Sequence, residues 1–167
     1  MDGVRNNAKE RELWYFDNGS RDIERSDHCN TLVIRWTVRE KGVTVSGPDP
    51  KTLIEPIKPD DLRKEIKDTM IGWEEEILRN PDPYQNRFYQ SYLVLNYARM
   101  LQNFHEGKIG SKRQGMIWAI SHLDPKWIHL IDDCWKERQD PEISVKQSAN
   151  PDVFKKTLEF VRYAINY

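Results

Sequence analysis

In a chain of 167 residues, 26 lysines and arginines nearly balance 27 aspartates and glutamates. That length suits one domain with one core, and the balance excludes the overall basic field that would draw nucleic acid or an anionic membrane surface. No apolar run approaches the length of a membrane span, the N-terminus lacks the apolar centre of a signal peptide, and Cys29 and Cys134 stand too far apart for metal spacing, which fits reduced thiols in a cytoplasmic protein.

Residues 1–27 show no strong period, and their aromatic run Trp14-Tyr15-Phe16 has no core of its own. They read as an arm that packs against something else, self-association included. Thr31 to Val38 is rich in β-branched residues and reads as a strand on that ground. Val43-Thr44-Val45 before Ser46-Gly47-Pro48 reads as a second, short strand.

From Pro59 onward the pattern is helical. Pro59-Asp60-Asp61 opens a long helix with Leu62, Ile66, Met70, Trp73 and Ile77 on one face, and Asn80-Pro81-Asp82-Pro83 ends it. A second helix runs from about Tyr84 to Glu106, with Val94, Ala98, Leu101 and Phe104 as its stripe. Tyr92, Leu95 and Tyr97 broaden that stripe, which predicts a central place in a bundle. Gly107-Lys108-Ile109-Gly110-Ser111-Lys112 follows as a basic corner, too short for a full phosphate-cradling loop. A short helix then spans Lys112 to His122. Asp124-Pro125 starts the next, with Trp127, Leu130, Ile131, Cys134 and Trp135 on one side. Gln139 to Asn150 is a polar loop, and Asn150-Pro151-Asp152 caps a last helix carrying Phe154, Leu158, Val161 and Ile165. The expected fold is therefore mainly α, a bundle of about five long helices with a short strand and an irregular N-terminal arm.

Several motifs now stand in order: Arg11-Glu12-Leu13, Ser20-Arg21-Asp22-Ile23, Arg39-Glu40-Lys41-Gly42-Val43, Ile57-Lys58-Pro59-Asp60-Asp61-Leu62, Leu95-Asn96-Tyr97-Ala98-Arg99, Glu106 to Lys112, and Trp118-Ala119. From about Arg11 to the C-terminus the chain resembles the C-terminal part of the streptomycin/spectinomycin (aminoglycoside) adenylyltransferases. The resemblance implies a helix over Cys29–Lys41, against the β-branched reading. It implies an arm at 1–27, left from the interdomain region, and a helical domain at 28–167. It also implies a transferase of antibiotic resistance, moving AMP from ATP to an aminoglycoside hydroxyl.

The same resemblance assigns residues. Lys112 corresponds to a lysine that reaches the ATP triphosphate, with Lys108 as added positive charge. Trp73 corresponds to a tryptophan that stacks on the drug, although its stripe also suits core packing. Family aspartates that hold drug amines have Asp82 as their nearest counterpart, with Glu74, Glu75 and Glu76 as a secondary acidic run. The ungapped positions, Gln85 and Tyr89, are not acids, and Arg138 stands where the family has a tyrosine.

Family enzymes carry Mg²⁺ on an Asp-x-Asp pair in an N-terminal nucleotidyltransferase domain. Gly19-Ser20, with Asp22 and Asp27 after it, is not followed by such a strand. The expectation is a chain with no cofactor of its own, silent alone, that takes ATP and an aminoglycoside-like molecule and needs a catalytic domain in trans; a stand-alone small-molecule binder is one alternative. Another comes from Arg99 and His105, whose spacing is similar to the pair of HEPN-type helical ribonucleases, with arginine stabilising the phosphorane and histidine shuttling the proton. His28, His122 and His129 form no ligand cluster.

Overall fold

A computed structural model describes residues 12–16, 20–27 and 29–167. Arg11, Gly19 and His28 lie outside the described residues. The chain divides into two compact units, Met1–Glu65 and Ile66–Tyr167. Mainly helical structure is found: seven α-helices and one two-stranded sheet among the described residues.

In the first unit, β1 (Leu13–Tyr15) pairs antiparallel with β2 (Glu24–Ser26), Trp14 facing Arg25 in the register. The Arg25 guanidinium lies 5.3 Å from the Trp14 ring centroid and donates to the Glu12 carbonyl at 2.7 Å. Trp14 and Phe16 remain 72% and 57% exposed. Helix α1 (Leu32–Lys41) replaces the strand read from composition. Its start explains why β-branched residues yield there. The Thr31 hydroxyl accepts from the Ile34 amide at 3.2 Å. The Glu65 carboxylate accepts from the Leu32 and Val33 amides at 2.8 and 2.9 Å. Capping of these first-turn donors outweighs a few tenths of a kcal/mol of propensity per residue. The second predicted strand is absent as well: Val43 and Val45 are 87% and 95% exposed and unpaired in the sheet. A short helix α2 (Pro50–Leu53) follows, capped by Asp49.

Helix α3 (Pro59–Arg79) begins in the first unit, and the division falls within it, after Glu65. Leu62, Ile66, Met70 and Ile77 are buried along its stripe, as their i, i+4 spacing demands. In the second unit, a 3₁₀ turn (Asp82–Tyr84) precedes α4 (Arg87–Glu106), which starts three residues later than its pattern suggests because Asn86 supplies the cap to the Tyr89 amide. Beyond it come α5 (Lys112–His122), a 3₁₀ turn (Pro125–Trp127), α6 (Ile128–Glu137) and α7 (Pro151–Asn166).

Helix α4 is the hub. It packs against α5, α6 and α7, and an unbroken run from Leu93 to Ala98 is buried. Tyr97 carries its hydroxyl into the core, where it donates to the Met70 carbonyl at 2.9 Å. Burial pushes that hydroxyl's pKa well up, with the nearby Glu74 charge adding to it. At the far end, Arg87 donates to Glu137 at 3.0 Å and pairs with Asp140 at 3.4 Å, and Ser91 donates to Glu137 at 2.9 Å. The Arg87 amide also donates to the Gln147 carbonyl at 2.9 Å. These bonds fasten the polar segment after α6 to the start of α4.

Candidate functional site

The corner between α4 and α5 is built by its own side chains. Gly107 ends α4 in the left-handed region (φ +64°), a conformation that glycine enters without a Cβ penalty. The Asn103 side chain then accepts from the Gly110 amide at 2.7 Å. Ser111 and Gln114 form a reciprocal capping box, at 3.2 Å for the Gln114 amide and 2.8 Å for the Ser111 amide. Lys112 is thereby fixed as the first residue of α5.

One stripe of α4 faces that corner. Phe88, Tyr92 and Arg99 recur at helical spacing, with Asn96 between the last two. The Asn96 amide group donates to the Tyr92 carbonyl at 2.7 Å, and its oxygen accepts from Arg99 Nη2 at 2.8 Å. Arg99 Nε is buried without a partner. Helix α5 comes close here through Gly115, which packs on the Arg99 backbone. That approach brings Lys112, one turn earlier, within 4.6 Å of the Tyr92 ring centroid.

The charges are one-sided. Burial, followed by the positive charges of Arg99 and Arg138, lowers the Lys112 pKa to about 8. Burial also lowers that of Arg99. Among the described residues, no carboxylate pairs with Lys112, Arg99 or Arg138. Arg138, at the end of α6, instead lies over the Phe88 ring at 5.6 Å. Adjacent carboxylates are occupied, since Glu137 and Asp140 hold Arg87.

An aromatic ladder runs beside these cations. Trp73 on α3 stacks on Tyr92 at 6.1 Å, and Phe88 stacks on Tyr92 at 5.8 Å. Tyr89 meets Tyr92 edge-on at 6.0 Å and Tyr84 at 5.2 Å. The Tyr84 hydroxyl donates to Glu76 at 2.6 Å, and that bond to the carboxylate pushes its pKa up to about 12. Trp73 is only half-buried, unlike the core residues on its stripe. Such a ladder offers π faces to a cation or a sugar, and the cations beside it offer donors to an anion.

Of the residues singled out in the sequence, Lys112 and Trp73 therefore converge on one ring, Tyr92. Asp82 is exposed in the 3₁₀ turn before α4, where no contact ties it to the ladder. Lys108 is exposed and pairs with Glu106 at 3.2 Å. Arg99 and His105 lie about 120° apart around α4 by helix geometry. His105 faces Trp118 at 5.1 Å and Tyr167 at 5.5 Å, while Arg99 faces the Lys112 corner. Sequence reasoning placed Tyr92 in the core and passed over Phe88; the signal was the aromatic i, i+4 pair of α4. A groove of about 680 Å³ between α6 and α7 shares none of these residues. Among the described residues no group of three His, Cys, Asp or Glu side chains could hold a metal ion, and no helix is long and apolar enough to cross a membrane.

The family described as "Aminoglycoside adenylyltransferase, C-terminal domain" matches residues 52–166. Spectinomycin 9-adenylyltransferases of Staphylococcus aureus strains Mu50 / ATCC 700699 and N315 are each 26% identical over 117 residues, 70% of this chain and 41% of the relative. The chain thus spans less than half the length of these curated relatives. No solved structure matches it.

Proposed function

Because the chain belongs to the aminoglycoside adenylyltransferase C-terminal domain family, we propose that it forms the phosphate-facing and drug-facing wall for transfer of AMP from ATP to an aminoglycoside hydroxyl. The observation that carries this reading is the position of Lys112, a part-buried cation without a carboxylate, on the ring that Trp73 also stacks on. In the transfer, the drug hydroxyl gives its proton to a base that the nucleotidyltransferase domain would supply. Its oxygen bonds to the α-phosphorus, the bond from that phosphorus to the bridging oxygen breaks, and pyrophosphate leaves with the negative charge. Lys112 would meet that charge, with Arg99 supported by Asn96 beside it. Trp73 and Tyr92 would present flat faces to the drug's rings and ammonium groups. In this reading Glu106 holds Lys108 outside the phosphate contacts.

The family reaction implies Mg²⁺, which needs carboxylate oxygens at short range. The described residues provide no such cluster, so no step is assigned to a metal here. The carboxylates that hold it would come from a nucleotidyltransferase domain, joined to this one or supplied in trans. Expected behaviour is binding without turnover. Calorimetric titration with ATP should show binding that Lys112→Met abolishes. Incubation with ATP, Mg²⁺ and spectinomycin or streptomycin, followed by mass spectrometry, should show no adenylylated drug unless that domain is added. Adenylylation by the chain alone would refute the assignment of a wall without chemistry.

A further inference from the structure

Arg138 has no role in the reading above, yet its surroundings are unusual. It is exposed at the end of α6, where a cation favours the helix dipole. Glu137 and Asp140 would be its natural partners, but Arg87 holds both. Its guanidinium lies instead 5.6 Å from the Phe88 ring centroid. Phe88 is stacked on Tyr92 at 5.8 Å, and Lys112 lies over Tyr92 at 4.6 Å. Two neighbouring rungs of one ladder therefore carry one cation each, with Arg99 deeper beside the second. Three positive charges converge without a counter-charge among the described residues, an arrangement that a bound anion would relieve.

We infer that Arg138 is a specificity-determining residue, which makes this site select a chain of phosphates over a single phosphate. The inference rests on the proposal that Lys112 binds phosphate, and names what that site prefers. A lone phosphate meets the Lys112 and Arg99 end and leaves Arg138 without a contact. A linear triphosphate lies along the ladder and reaches both ends. Arginine suits this task because its planar fork stacks on Phe88 while its edge N–H groups stay available to oxygens.

The test uses inorganic tripolyphosphate and orthophosphate as probes, titrated by calorimetry into the intact chain in magnesium-free buffer at fixed ionic strength, since phosphate contacts are screened by salt. Arg138→Gln should weaken tripolyphosphate by about tenfold, the typical worth of one charge-assisted contact, and leave orthophosphate within about twofold. Arg138→Lys, which keeps the charge but loses the fork, should fall between. Circular dichroism of the variants should match the parent, as the side chain is exposed. Equal tripolyphosphate affinity in Arg138→Gln would overturn the selective role and leave the Lys112 reading standing. Tripolyphosphate binding absent from the parent would overturn both.

Discussion

A Cβ built on Gly115 would stand 2.4 Å from the Cα of Arg99. The two helices that carry Lys112 and Arg99 are therefore held at a distance that only glycine permits, and backbone, unlike a flexible side chain, has little room to give. Gly115→Ala should destabilise the fold by about 1–3 kcal/mol through overpacking. It should also weaken tripolyphosphate binding, because α5 must move away with Lys112 on it. Chemical denaturation and calorimetry on the same preparation read both effects.

Lys112→Met should separate stability from function. The folded lysine titrates at about 8 against an ordinary value of 10.5. Between those two values the unfolded chain binds more protons than the folded one, so stability rises with pH across that window and the full cost of the buried charge applies below it. Removing the charge should raise stability at neutral pH by about 1–3 kcal/mol, less whatever the Tyr92 contact contributes. Phosphate binding should be lost in the same variant. A lower midpoint in urea would count against this account.

Anion binding should itself depend on pH. Lys112 is charged below about 8, while Arg99 and Arg138 stay charged throughout, as arginines do. Tripolyphosphate affinity should then fall as pH rises from 8 to 9.5. Near pH 8 to 9 binding should take up protons, visible as an enthalpy that varies with the buffer's heat of ionisation. Lys112→Arg should flatten the profile; an unchanged profile in that variant would assign the titration to another group.

Trp73 should matter to the drug more than to the fold. It is half-buried and stacks on Tyr92 at 6.1 Å, leaving a face to a ligand. Trp73→Ala should weaken spectinomycin or streptomycin binding by about tenfold, and Trp73→Phe should restore much of it. If alanine costs stability but no affinity, the side chain serves packing alone.

Tyr97 provides the contrast. Its hydroxyl donates to the Met70 carbonyl inside the core and faces none of the cations. Tyr97→Phe should lower unfolding stability by about 1 kcal/mol and leave both anion and drug titrations unchanged.

Residues that begin and end helices made most of the chain from Pro59 onward legible. Pro59-Asp60, Asn150-Pro151 and the 112–122 segment all became helices close to their expected bounds, because caps and apolar spacing agree there. The first unit was harder for a physical reason. Thr31-Leu32-Val33-Ile34 has strand composition, and its helical fate depends on Glu65, a partner 32 and 33 residues away. The sheet went unforeseen because its strands are only three residues each. At the site, Lys112 could be singled out by the family resemblance, since its glycine-flanked corner alone is too short for a phosphate-cradling loop. The ladder could not, since Tyr92 lies on a helix whose apolar surface is wide enough to hide a half-buried rung among core positions. Nor does sequence reveal that Glu106 engages Lys108.

Placing Phe88, Tyr92, Asn96 and Arg99 on one continuous helix ties their alignment to a residue count. Deleting a single position between Tyr92 and Arg99 would rotate everything after it by about 100°, swinging the guanidinium out of register and exposing Leu101 in one stroke. Insertions and deletions are thus closed to α4, and relatives that handle different molecules would have to diverge there by substitution. Length can change more readily in the exposed connection around Asp82, which precedes α4 without being threaded through the core.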